Sequence, residues 1–155
     1  MIFSVLGANK KLFHKILIQS KSIKDMKIRD LLPILIYDDS CYHCSKFASI
    51  AKSLAGKNIL IVGHHTDIGK EIKSEIFPED YDSTRMFWFV TDKTAYGGRA
   101  GVLPLISFIL TGKSRKIPVK DIPLIYGNDC KTTRAFFMRV RTLLSNSQKI
   151  PLKQF

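Results

Sequence analysis

Two cysteines two residues apart, Cys41 and Cys44, lie in the run "YDDSCYHCSKF", just past an apolar stretch. Three kinds of chemistry are open to them: a redox pair, half of a metal site, or no chemistry at all, as two small residues at a helix start. A cysteine at a helix N-terminus meets unpaired backbone N–H groups and the positive end of the helix dipole, which favour thiolate over thiol. The thiolate is the attacking species. With two residues between them, the thiols can close a small disulfide ring across the first turn. On that reading Cys41 is the exposed nucleophile. Cys44, one turn on and facing the core, resolves the mixed disulfide. His43 between them favours the thiolate further when protonated, but on a helix it is equally able to point into water. Asp38 and Asp39 precede the pair, so the run reads D-x-x-C-x-x-C. A carboxylate at the strand end beneath the pair can shuttle a proton during thiol exchange, and Asp38 is the candidate. The competing reading is capping of the helix by Asp39 or Ser40.

The elements that must hold this pair are legible in outline. "LLPILIYDD" is a continuous apolar run ended by acids, as expected of a strand buried on both faces. "CYHCSKFASIAKSLAG" has helical spacing and a glycine to end it. "NILIVGHH" reads as a second strand and "DIGKEIKSEIF" as a helix stopped by Pro78. Met86 to Val90, a turn at "TDKT" and a short strand ending at Gly97-Gly98 read as a hairpin. "AGVLPLISFILTG" reads as an apolar helix with Pro104 in its first turn. "KSRKIPVKDIPLIYGND" reads as a loop and "KTTRAFFMRVRTLLSN" as a basic amphipathic helix. In that last helix Phe136, Phe137, Val140, Leu143 and Leu144 are expected to dock on the sheet. The tail "SQKIPLKQF" reads as frayed. Lys10 to Met26 reads as a basic helix at the other end. Strand, helix, strand, helix, hairpin, helix predicts an α/β fold: a four-stranded mixed sheet flanked by helices. That is the core of the thioredoxin fold, and the cysteine pair stands where that fold places its redox pair.

"YDDSCYHCSKF" resembles the opening of the DCC family of thiol-disulfide oxidoreductases, whose members begin with a strand and a Y-D-x-x-C-x-x-C-x-x-F run. "STRMFWFVTDKTAYGGRAGVLPLI" is similar to the family's later landmark, with Gly98 and Ala100 at the start of a helix. The resemblance covers roughly residues 34–111. It implies a thioredoxin-like fold, dithiol chemistry at Cys41 and Cys44, and Asp38 as the leading acid. The chain departs from thioredoxin proper where a cis-proline faces the disulfide: Thr84 or Arg85 stands there instead.

The net charge of +12 is unevenly spread. Residues 1–30 carry seven Lys/Arg and two Asp/Glu, residues 31–111 eight and nine, and residues 112–155 ten and two. The division is a basic N-terminal extension (1–30), a thioredoxin-like domain (31–111) and a basic C-terminal extension with a helix packed on the domain (112–155). Basic ends can attract nucleic acid or anionic lipid, or simply keep the surface solvated. No apolar run is long enough to span a bilayer, and the N-terminus lacks an export signal. The cytoplasm is therefore the expected compartment, where cysteine pairs are more often catalytic or metal-binding than structural.

"GHHTDIGKE" misses the phosphate-loop spacing by one residue, and Glu71 stands where a hydroxyl is needed. A zinc set of Cys41, Cys44, His64 and His65 is disfavoured, because neighbouring residues at a strand end point to opposite faces. Cys130 reads as an ordinary free thiol. The sequence thus favours a thiol-disulfide oxidoreductase with no bound cofactor or metal. Its partners are a protein or small-thiol disulfide substrate and an external thiol reductant. The alternative is a non-enzymatic thioredoxin-like adaptor that binds nucleic acid or acidic partners through its basic ends.

Overall fold

The protein is seen in a computed structural model that describes residues 27–112, 117 and 122–152. The helix expected over residues 10–26 lies outside them. Strand β1 (Ile34–Tyr37) is buried at all four positions. A strand apolar on both faces needs a layer on each side, and it has both. A one-turn helix α1 (Ile28–Leu31) precedes it. There follow α2 (Tyr42–Ala55), β2 (Leu60–Gly63), α3 (Asp67–Ile76), β3 (Trp88–Val90), β4 (Thr94–Gly98), α4 (Arg99–Thr111), α5 (Thr133–Ser145) and β5 (Ser147–Pro151). The strands form one mixed sheet in the order β2-β1-β3-β4-β5. β1 and β2 are parallel, with Ile34 opposite Leu60 and Tyr37 opposite Gly63. The remaining pairs are antiparallel.

Alternation along the strands sends side chains to two cores. On one side Ile34, Ile36, Val62 and Trp88 pack with α1 and with Ile68, Ile72 and Ile76 of α3. On the other, Leu35, Tyr37, Ile61 and Phe89 meet Ala48, Ala51 and Ala55 of α2 and Leu105 of α4. Three alanines on one helix face let α2 lie close to the sheet. Full burial of Ile34, Leu35 and Ile36 stabilises the fold by about 1.5–3 kcal/mol each. Trp88, also fully buried, satisfies its indole by donating to the Ser83 carbonyl at 2.8 Å.

Three expectations need correction. The sheet has five strands, not four, and Ser147–Pro151 forms the fifth instead of fraying. It pairs with β4 from Thr94–Pro151 to Gly98–Ser147. Its side chains are mostly exposed, so the ladder rather than burial holds it, and no apolar alternation announced it. Pro104 lies five residues beyond Arg99, inside α4 rather than in its first turn. It removes the N–H that would bind the Ala100 carbonyl. Finally, α5 does not dock through its apolar residues as a set. Leu143 packs on the core, while Phe136, Phe137, Val140 and Leu144 are exposed. The inward side of α5 is shared with Arg139, whose guanidinium reaches an acid at the end of β1, so the helix sits on an ion pair and Leu143.

Candidate active site

β1 delivers the chain to a turn, Asp38-Asp39-Ser40, whose acids are used locally. Asp38 Oδ1 accepts from the Ser40 N–H at 3.1 Å and from the Ser40 hydroxyl at 2.5 Å. Asp39, buried, accepts the His65 N–H at 2.9 Å and ties the turn to the end of β2. Neither Asp39 nor Ser40 caps α2, so the competing reading of these residues as caps does not hold. The N-cap residue is Cys41 itself, with extended backbone and no side-chain cap bond. The Ser45 hydroxyl donates back to the Cys41 carbonyl at 2.9 Å.

The segment from Ile125 to Cys130 closes over this turn. Asp129 pairs with Cys41 as a parallel bridge. The Tyr42 N–H donates to the Asp129 carbonyl at 2.9 Å, and the Asp129 N–H to the Ser40 carbonyl at 3.2 Å. The Tyr37 hydroxyl donates to the Ile125 carbonyl and accepts its N–H, at 3.0 and 3.1 Å. Gly127 donates to the Ser45 hydroxyl at 3.3 Å. A Cβ at Gly127 would run into the Ser40 carbonyl, so only glycine permits this approach. Exposure within the pair is therefore the reverse of the expected one. Cys41 is fully buried beneath the segment, while Cys44 is partly exposed and lines a cavity of about 200 Å³.

All three cysteines are thiols. The Cys41 and Cys44 sulfurs and an Asp38 carboxylate oxygen lie within 4.8 Å of one another. Burial raises the Cys44 pKa above the ordinary thiol range, and its hydrogen bond to Cys41 raises it further. Cys44 is thus held as a thiol. Asp38 behaves in the opposite way. Burial raises its pKa, but the Ser40 hydroxyl and the Arg139 charge outweigh burial and hold the carboxyl below its usual range. Arg139 Nη2 lies 2.8 Å from Asp38 Oδ2. Burial lowers the Arg139 pKa, but the neighbouring Cys130, Asp38, Cys41 and Cys44 outweigh it and raise it. Cys130, with φ of 63°, is thereby drawn into the network around the pair.

His43 does not point into water. Its ring meets Phe136 edge-on, 5.1 Å between centroids, and lines the same cavity as Cys44. Thr84 and Arg85, which the sequence set in place of a cis-proline, also line that cavity. His64 and His65 diverge as expected. His64 is fully buried, with Nε2 2.9 Å from the Met86 carbonyl, and burial pushes its pKa down to about 4. His65 is exposed, with Nε2 3.8 Å from Asp38. Two trios bring possible metal ligands together, Asp38-Cys41-Cys44 and Asp38-Asp39-His65. Both use Asp38, so a cation there must compete with Arg139. The stretch that imitates a phosphate loop is the start of α3, where the Thr66 hydroxyl caps the helix by accepting from the Gly69 N–H at 3.0 Å.

Sequence reasoning missed Arg139 and the covering segment. Gly127 in "IYGND" was the available signal for a close backbone approach. Nothing in the spacing of α5 marks Arg139 apart from Arg134 and Arg141.

Fold and site together define an α/β protein with a five-stranded mixed sheet and a C-x-x-C dithiol at the start of the helix after its first strand. No family model, curated protein or solved structure matches the chain.

Proposed function

We propose that the chain is a thiol-disulfide oxidoreductase with a thioredoxin-like core, working through Cys41 and Cys44. The observation that carries the reading is the cluster itself: Cys41 at the N-cap of α2, Cys44 one turn inside, and both sulfurs within 4.8 Å of the Asp38 carboxylate. The parallel β1–β2 pair, with an antiparallel hairpin beside β1, supports the fold assignment. Membership of the DCC family belongs to the same proposal and rests on the sequence runs.

The two thiols divide the work by their surroundings. Cys44 keeps its proton, while Cys41, at the N-cap of α2, is the attacking sulfur. The Cys41 thiolate attacks one sulfur of a client disulfide once the 125–130 segment opens, and one client thiolate leaves. Cys44 then gives up its proton and attacks the Cys41 sulfur. The second client thiolate departs, Cys41 and Cys44 end as a disulfide, and the client has gained two electrons. Asp38 is the nearby proton acceptor for Cys44. Its bond to Arg139 makes it a weak base until the guanidinium shifts. An external thiol restores the pair.

The test is a disulfide-reduction assay with dithiothreitol as recycling thiol and insulin as client. Wild type is expected to accelerate reduction, and Cys41→Ser and Cys44→Ser to abolish the acceleration. Equal rates for all three would leave the non-enzymatic adaptor as the better account.

A further inference from the structure

Among the described residues, every large apolar side chain that is exposed lies on α2, α4, α5 or the segment at 125–126. These elements all pack on one side of the sheet, the side of Leu35, Tyr37 and Phe89. α2 touches α4, and α4 touches α5. The most prominent are Leu54, Leu103, Leu110 and Phe137, each between 64 and 79% exposed. On the other side, α3 buries Ile68, Ile72 and Ile76 and leaves no large apolar side chain out.

Charge divides the same way. α2, α4 and α5 contain no Asp or Glu, and they carry Lys46, Lys52, Arg99, Arg134, Arg139 and Arg141. α3 carries Asp67, Glu71 and Glu75, and the chain after it adds Glu79, Asp80 and Asp82. One side of the molecule is apolar and basic without an acid on its helices. The other is mixed and acidic.

We propose that the α2–α4–α5 side docks on an anionic lipid bilayer. Protruding leucines and phenylalanines can enter the boundary between headgroups and acyl chains, while the exposed Lys46, Arg99, Arg134 and Arg141 meet the phosphates and no helical acid is repelled. Arg139 is turned inward to Asp38 and takes no part. A second copy fits poorly, because two such faces would bring the exposed Lys46, Arg99, Arg134 and Arg141 of each against the same four cations of the other. A protein groove-binder fits poorly too, because the most exposed side chains stand out from three helices instead of lining one cleft. Nucleic acid would use the cations but leave the aliphatic side chains without a partner. The inference does not depend on the dithiol reading.

The experiment is flotation of the full chain with vesicles of phosphatidylcholine alone or mixed with phosphatidylserine. Binding to the mixed vesicles is expected, weakened by salt and much reduced on phosphatidylcholine alone. A triple variant, Leu103→Ser with Leu110→Ser and Phe137→Ser, should bind about tenfold or more weakly with an unchanged circular dichroism spectrum. Lys70→Ser on α3 should bind as wild type. Should the triple variant misfold, Phe137→Trp serves instead. Brominated acyl chains should quench its emission, with buried Trp88 as the unquenched background. Full binding by the folded triple variant, no quenching, or no binding to the mixed vesicles overturns the proposal. Tighter binding of a short DNA duplex at the same salt, or self-association through these residues, overturns it in favour of that partner.

Discussion

Gly127 offers the sharpest handle on the segment that covers Cys41. Replacing it by alanine forces a methyl group into the Ser40 carbonyl. The segment must lift by an ångström or more, and three hydrogen bonds are at stake: Tyr42 to Asp129, Asp129 to Ser40, and Gly127 to Ser45. At about 0.5–1.5 kcal/mol each, partial loss weakens the closed segment by about 2 kcal/mol. The Tyr37–Ile125 bonds lie two residues before the clash and should survive. If Cys41 reacts only when the segment opens, its alkylation rate follows the open population, and 2 kcal/mol corresponds to about a thirtyfold increase. Cys44, which already faces the cavity, is the internal control and should change little. The assay is timed alkylation of the reduced protein with mass-spectrometric mapping of each cysteine. Unchanged Cys41 labelling in a folded Gly127→Ala protein would falsify the claim that this segment controls access.

Other outcomes follow from the same geometry. Arg139→Met should leave Asp38 unpaired and cost about 1–2 kcal/mol in urea unfolding at neutral pH, less than a fully buried pair because Arg139 is partly exposed. The folded Asp38 pKa lies below 3.8, so this contribution is present above that pH and fades as the pH falls through the folded value. A wild-type-to-variant difference that persists in strong acid contradicts the assignment. His64 has a folded pKa of about 4 against an ordinary 6.5, so unfolding takes up a proton between those values. Stability should fall by about 3 kcal/mol as pH drops from 6.5 to 4, and His64→Gln should flatten that slope; equal slopes would show that His64 is not the group responsible. Cys44→Ser should accumulate mixed disulfides with clients and Cys41→Ser should not. Equal capture by both variants reverses or removes the assigned roles.

Much of the frame was legible because its determinants are local. The unbroken apolar run at Ile34–Tyr37 announced a doubly covered strand, and "GGRA" announced a helix start. Gly98 caps that helix with φ of 57°, where a side chain would also strike the Asn146 carbonyl. D-x-x-C-x-x-C placed the thiols and the acid together, since a strand end and the next helix turn bring them close whatever surrounds them. What was not legible depends on long-range contact. β5 is a polar edge strand, held by its ladder to β4 across some fifty residues of chain, and no periodicity encodes that. The burial of Cys41 comes from Asp129, and the part of the Asp38 pKa depression that Ser40 does not supply comes chiefly from Arg139, both far along the sequence. The α5 pattern misled because an amphipathic helix looks the same whether its apolar residues meet a sheet or lie open.

If Cys41 and Cys44 form a reversible redox couple, their reduction potential is the quantity to measure. The protein would be equilibrated across defined thiol–disulfide buffers, quenched with acid, and the 41–44 peptide read by mass spectrometry for the loss of two hydrogens. A single two-electron transition is expected within the range of known dithiol oxidoreductases, about −270 to −120 mV, and it should disappear in Cys41→Ser. A pair that stays as two thiols across that range would contradict the redox reading.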